Sequence, residues 1–454
     1  MIITRKKHNN NIKSLLPICN IIIFYIYLIY KYLYLIIILT FAIISTYFFM
    51  GDIMNICADV ISRVNSDIRG KNFYTALEIE KRGETILKLN TGNPATFGFS
   101  MPESVKNALF QKIDTALGYC DVRGMAEARN AIFEYHRSKG FYNFSIDDIF
   151  IGNGVSEIAN LISTALLNPG DEVLLPSPCY SLWCNEVILR GATPVFYKCD
   201  ENYGWNPDTE HIKSLITKRT KAIVIINPNN PTGVLYSNDT LLSIAEIARQ
   251  HRITVLSDEI YDRLVFDGKN HVSFANLATD IPVITMNGLS KSHCLCGFRC
   301  GWLVVSGPAL VREEISGALL KLASIRLSAN AMMQTVIPAA LADTEYTKSL
   351  IAEDGRLYKQ REATFRELDK LDCLSYVKND ASFYVFPKIK PEFLKETNDT
   401  VFAEKLLLQK HILLVPGSGF LYKEPDHFRI VMLPEPNVLQ KAVIKIGEFI
   451  NENA

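Results

Sequence analysis

From residue 147 onward, short apolar runs alternate with amphipathic stretches. DIFIGNG at 148–154 predicts a strand that ends in glycines. SEIANLISTALL at 156–167 follows with apolar residues at helical spacing and closes on NPGD. DEVLLPSPCY at 171–180 predicts a strand running into a proline-bearing loop, and TPVFYKC at 193–199 predicts another. KAIVIINPNNPTG at 221–233 reads as a buried strand with a turn-rich exit. TLLSIAEIARQH at 240–251 is an amphipathic helix. ITVLSDEIY at 253–261, PVITMNGLSK at 282–291 and GWLVVSG at 301–307 are three more strands. Strands separated by helices predict an α/β architecture with a largely parallel sheet covered on both faces.

The pattern changes at both ends. ASFYVFPKI at 381–389, HILLVPGSG at 411–419 and HFRIVML at 427–433 predict strands of a smaller α+β unit that ends in the helix VLQKAVIKIGEFI. Residues 54–106 hold a helix and the loop LNTGNPATFG. At 454 residues the chain is too long for one compact core. The expected division is 1–53 as an apolar extension, 54–106 as an N-terminal segment joined to the small domain, 107–335 as the large domain and 336–454 as the small one.

Residues 1–50 contain no Asp, Glu, Gly or Val. From Asn20 to Met50 they are apolar and aromatic, broken by one charge, Lys31, and preceded by Arg5, Lys6, Lys7 and Lys13. Spanning a bilayer takes about 20 apolar residues, so this run suffices, with its basic flank on the cytoplasmic side. It is too long for a signal-peptide core. A second explanation competes: these residue types have codons rich in A and T, as an upstream region translated in error would show. Met54 then opens MNICADVISRVNSDIRG, an ordinary soluble N-terminus.

Charge is balanced, 48 basic against 48 acidic residues, which argues against an electrostatic nucleic-acid binder. Hydrophobic content of 48% is that of a globular chain. The ten cysteines form no framework and suit a reducing compartment. Cys294, Cys296 and Cys300 cluster without the paired spacing of a zinc site, so small buried thiols are expected and no metal. The eight histidines are dispersed. His427 is expected to face away from its neighbour Arg429, and Trp183 and Trp205 to serve packing.

In open α/β sheets, ligands collect beyond the carboxyl ends of the strands. The polar segments GNGVS, PSPCY, NPNNPTG, SDEIY and GLSK all stand at such exits. GNGVSE places free backbone N–H groups at a helix start, which suits a phosphate and equally suits a plain capped helix. Asp258 ends an apolar strand, where a carboxylate needs a partner: a salt bridge, a cap, or a protonated ring nitrogen. Lys291 stands in small, apolar company that should lower its pKa enough for the free amine to attack a carbonyl. Arg299, eight residues on, offers a fixed charge for a phosphate. A reactive lysine, a carboxylate and a phosphate cup are what pyridoxal phosphate asks of a protein.

The set NPNNPTG, SDEIY, SK with an arginine eight residues on, and a late HFRI resembles the class I, fold-type I aminotransferases over essentially 54–454. SDIRG, LNTGNPATFGF, GYCDVRG, IGNGVSE and DHFRIVMLP resemble the glutamate–pyruvate (alanine) branch in particular. The resemblance implies a fold-type I transferase: a large domain with a mostly parallel seven-stranded sheet plus a smaller α+β domain. It implies that Lys291 carries pyridoxal 5'-phosphate as an aldimine and shuttles a proton at Cα. Asp258 would pair with the pyridinium nitrogen, Asn230 and Tyr261 with the phenolic oxygen, and Tyr180 would stack on the ring. Gly154, the backbone of Val155, Ser156, Ser290 and Arg299 would hold the phosphate. Tyr119 would reach the phosphate of a neighbouring subunit, in a homodimer. Arg429 would grip the substrate α-carboxylate, helped by Asn230 and the backbone of Gly92. Arg69 is the candidate for a distal carboxylate, or else a structural arginine. Where many class I members have serine, three residues before the lysine, this chain has Gly288.

The activity implied is ping-pong transamination of L-alanine and 2-oxoglutarate to pyruvate and L-glutamate in the cytoplasm. Its rivals are an aromatic or aspartate-type aminotransferase and a C–S lyase acting on cystathionine-like substrates. A regulator with an aminotransferase-like effector domain would need a basic recognition helix, which the apolar extension lacks. A membrane-tethered or purely structural protein built around residues 20–50 is a third class.

Overall fold

The computed structural model describes residues 12–53, 56–65, 70–394 and 398–453. Arg69, with most of SDIRG, lies outside them. The chain divides into two compact units, 1–63 and 64–454. In the first, Ile12–Ile53 is one continuous helix. Its segment Ile21–Ile43 is 23 residues long with mean hydropathy 2.2, and none of it is buried.

The largest sheet of the second unit has eight strands. Its strands are β1 (Ile149–Asn153), β2 (Glu172–Ser177), β3 (Thr193–Asp200), β4 (Asn206–Pro207), β5 (Thr220–Ile226), β6 (Thr254–Asp258), β7 (Val283–Gly288) and β8 (Cys300–Ser306). They lie in the order β1-β8-β7-β6-β5-β2-β3-β4. The seven strands expected from the pattern are all present. The sheet nevertheless has eight strands, because the two residues of β4 fold back antiparallel along the end of β3. A two-residue strand carries no readable alternation, so the pattern could not announce it.

Strands β2, β3, β5, β6 and β7 run parallel. Every residue of β7 and β8 is buried, as expected where helices cover both faces. Register aligns the strand ends. Ile226 pairs with Asp258, and Asp258 with Met286, so the residues following β5, β6 and β7 emerge at one edge. Strand β8 is antiparallel to both neighbours: Gly301 pairs with Gly288 of β7 and with Gly152 of β1, and Cys300 with Asn153. The end of β1 and the start of β8 therefore reach that same edge. Topology has brought Gly154, Asn230, Tyr261, Lys291 and Arg299 together before any side chain is considered.

The C-terminal part differs in detail from the expected strands. ASFYVFPKI forms two short strands, Tyr384–Val385 and Lys388–Ile389, around Pro387, which has no N–H to donate. HILLVPGSG splits because its halves pair differently: Ile412–Leu413 runs parallel to Leu87–Lys88, and Val415–Pro416 antiparallel to Phe428–Val431. Tyr384–Val385 pairs with the other side of Phe428–Val431. The helix Pro436–Glu452 buries Leu439, Val443, Ile446 and Ile450 along one stripe against the cluster that includes Phe365, Leu406 and Ile430.

Candidate active site

At the shared strand edge lies a cleft of about 180 Å³. Its lining includes Gly92, Val155, Ser156, Tyr180, Asn230, Asp258, Tyr261, Ser290, Lys291, Arg299 and Arg429. Gly154 adjoins it as the N-cap of the helix Val155–Leu166. Tyr119 does not line the cleft; it is 83% exposed on the surface.

Lys291 sits just past β7, and its Nζ donates to the Gly92 carbonyl at 2.7 Å, with the Cys296 thiol 3.9 Å away. The expected lowering of its pKa is overturned. Burial does push it down, but Tyr384, Cys296 and Tyr180 more than offset that, and the amine stands above its ordinary value. The neighbours that sequence suggested were small and apolar; those that folding supplies include phenols and a thiol.

Asp258, the last residue of β6, is 4% exposed. It accepts from the Trp183 indole at 3.2 Å and from the Ile260 N–H at 3.3 Å. Burial raises its pKa to about 6 despite these donors and the nearby Lys291. Trp183 is therefore more than packing. It stands three residues after Tyr180 in the first turn of the helix Ser181–Leu189, and that spacing was the available signal.

Gly154 has φ +83°, and a Cβ there would collide with the Arg299 guanidinium. The guanidinium thus lies directly beside the helix start, and together they offer an anion a fixed charge and first-turn amides that have no intrahelical acceptor. Glu157 accepts from the N–H of Asn153, the residue before the N-cap, at 2.6 Å, and no side chain caps the helix at Gly154 itself. Gly288 has a physical reason: a Cβ there would lie 2.5 Å from the Cys300 carbonyl on β8. Strand packing leaves no room for a serine.

Arg429 is 2% exposed. Its Nη1 donates to Asn230 at 2.8 Å and its Nη2 to the Asn90 carbonyl, while Nε has no partner. Among the described residues no carboxylate forms an ion pair with it. Tyr384 was not foreseen. It lies opposite Val431 in the strand pair, two residues from Arg429 on the same face, so its ring covers the guanidinium at 4.4 Å. Its hydroxyl lies 3.0 Å from that of Tyr261. Behind Tyr261 the turn is pinned by Asp262, which accepts from Lys139 and Tyr135.

The residues fit pyridoxal phosphate on these observations. A buried carboxylate held partly protonated awaits a cation, an arginine and helix start await an anion, and a buried guanidinium lacks a carboxylate.

The family model for aminotransferase class I and II matches residues 84–446. The chain belongs to that family, whose cofactor is pyridoxal phosphate. Within it, the chain is 43% identical over 395 residues to the glutamate-pyruvate aminotransferase AlaA of Haemophilus influenzae, covering 87% of this chain and 98% of that one. It is 41% identical to the alanine aminotransferase of Mycobacterium tuberculosis, over 85% and 90% of the two chains. An aminotransferase crystal structure from Escherichia coli superposes with TM-score 0.85 at 42% identity, covering 87% of this chain and 98% of that one.

Proposed function

We propose that this protein transfers the amino group of L-alanine to 2-oxoglutarate, giving pyruvate and L-glutamate in two half-reactions. The observation that carries this reading is the convergence of Lys291, Asp258 and Arg429 on one cleft in a chain 43% identical to a glutamate-pyruvate aminotransferase. Bound there, pyridoxal phosphate supplies an aldehyde for the substrate amine and a ring that accepts electrons from Cα.

Each residue then has a task. Lys291 holds the cofactor and moves the proton at the substrate Cα. Asp258, aimed by Trp183, keeps the pyridine nitrogen protonated. Asn230 and Tyr261 hydrogen-bond the phenolic oxygen, and Tyr180 covers the ring. Gly154, Val155, Ser156, Ser290 and Arg299 hold the phosphate. Arg429, with Asn230 and the Gly92 backbone, takes the substrate α-carboxylate in a two-pronged grip. Arg69 is the candidate for the distal carboxylate, or else a structural arginine.

We read residues 107–335 as the cofactor domain, and 54–106 with 336–454 as the smaller one. The hydrophobic cluster around Leu406 and Ile430, drawn wholly from the small-domain segments, and the pairing of Leu87–Lys88 with Ile412–Leu413 support this. A homodimer is proposed as well. Phe110, Leu117, Tyr119 and Ile325 are 70%, 83%, 83% and 81% exposed. Arg326 donates to the Val122 carbonyl and Gln334 to the Cys120 thiol, which brings the two apolar segments together on one surface. That surface would put Tyr119 against a second copy. The catalytic unit is assigned to the cytoplasm, and the helix Ile21–Ile43 would tether it to a membrane from that side.

The test supplies the purified protein with cofactor, alanine and 2-oxoglutarate and measures pyruvate. Visible colour that is lost in Lys291→Ala, together with pyruvate release, supports the reading. A protein that stays colourless after reconstitution, or one that releases ammonia from cystathionine and no pyruvate from alanine, overturns it.

A further inference from the structure

His427 belongs to no role assigned above, yet it is 0% exposed and fully engaged. Strand alternation puts residues two apart on one face, so His427 and Arg429 share a side, against the expectation that they diverge. The imidazole Nδ1 lies 2.6 Å from Asp426 Oδ1, and Nε2 lies 2.8 Å from Glu201 Oε2. Glu201 follows directly on β3, at the far edge of the large sheet. The contact therefore joins the strand Phe428–Val431 to an element more than two hundred residues away in the chain.

The surroundings fix the ring. Phe386 stacks on it at 4.9 Å and 23°, Tyr422 meets it edge-on at 4.9 Å, and Trp205 at 5.4 Å. Phe386 also packs on Phe420 at 6.0 Å, and Phe420 faces the Arg429 guanidinium at 4.6 Å. A continuous run of rings thus leads from His427 to the guanidinium.

We propose that His427 is a positioning residue for Arg429: clamped between Glu201 and Asp426, it fixes the strand that presents the substrate-carboxylate seat. This rests on the transaminase reading for the identity of the carboxylate.

The charged groups facing the ring set its behaviour. Asp426 and Glu201 favour the imidazolium. Lys388, 3.8 Å from Glu201 and 3.5 Å from Asp426, tempers both. Tyr422 stays neutral, its phenol raised by burial and by Glu201, Asp426, Glu424 and Asp200. Burial disfavours the charged ring, but the two carboxylates outweigh it, and His427 stands above its ordinary value. The clamp is therefore complete while the ring stays protonated, below that raised value. It weakens as the pH rises through that raised value, because the neutral ring can donate to only one carboxylate.

The experiment measures KM and kcat of the holoenzyme for alanine and 2-oxoglutarate from neutral to alkaline pH. A parallel calorimetric titration uses succinate, an unreactive dicarboxylate. In His427→Gln, KM and the succinate dissociation constant should rise about tenfold at neutral pH with kcat within about twofold, and the alkaline weakening seen in the wild type should vanish. Glu201→Gln should move in the same direction by less. Unchanged affinity in folded variants, or a fall in kcat alone, overturns the proposal. Should His427→Gln fail to fold, Glu201→Gln, whose side chain is 20% exposed, decides the matter by the same readings. The succinate arm reads the clamp even in a protein that releases no pyruvate from alanine, so the two failures are told apart.

Discussion

At the residue scale, the site stores an electrostatic cost that a cationic ring would relieve. Asp258 is held near 6 by burial, well above an ordinary aspartate. Folding thus favours its protonated form. The resulting penalty is absent below about pH 4, builds as the pH rises to 6, and is constant above, at about 3 kcal/mol at most. Asp258→Asn should therefore stabilise the cofactor-free protein at neutral pH and leave it unchanged at pH 4, while lowering turnover at least a hundredfold. Thermal unfolding across pH, beside a pyruvate assay, checks both halves. Tyr384 joins the two ends of the site through its contacts with Tyr261 and Arg429. Tyr384→Phe keeps the ring over the guanidinium and removes a buried hydrogen bond worth about 1 kcal/mol, so kcat/KM should fall about fivefold. Retention of full kcat/KM in steady-state assays would dissociate that hydroxyl from the reaction. Lys291, Asp258, Asn230, Tyr261, Arg299 and Arg429 were legible because each follows a recognisable strand end or motif. Trp183 carried only its spacing from Tyr180 as a signal and Tyr384 carried none, because their partners, Asp258 and Tyr261, are distant in sequence and reach them only through packing.

At the scale of elements, β8 approaches β7 so closely at Gly288 that a side chain is excluded there, and at Gly301 the Gly154–Val155 backbone excludes one on β8. The departure at Gly288 is thus compensated within the sheet, not a defect waiting for repair. Restoring the hydroxyl with Gly288→Ser should cost about 1–3 kcal/mol of stability through overpacking and should not tighten cofactor binding. Urea unfolding and equilibrium dialysis of the cofactor measure the two effects. The long strands and the amphipathic helices Val155–Leu166 and Asn238–His251 were readable from periodicity because burial enforces it. The short strands of the C-terminal part were misjudged in length. Their partners, and not their own composition, decide where each one stops.

For the whole molecule, the apolar surface around Leu117 and Tyr119 and the helix Ile21–Ile43 make separate predictions. Leu117→Asp should convert the proposed dimer to monomer, seen in light scattering, and should weaken cofactor binding if Tyr119 reaches a neighbouring site. A chain starting at Met54 should be soluble and fully active. The full chain should partition with membranes and resist alkaline washing, since 23 residues of helix span about 35 Å. Recovery of the full chain in the soluble fraction would remove the tether.

Periodicity, strand-end chemistry and motif spacing determined by themselves the α/β layering, the edge at which the cleft forms and most of the residues that line it. These are local properties, written in every few residues by the repeat of helix or strand. Only the tertiary structure decided the direction of the Lys291 shift, the partners of Asp258, the exclusion of a side chain at Gly288 and the clamp on His427. Each of these depends on groups brought within a few ångströms from far along the chain, where burial and charge act over distances that sequence order does not record.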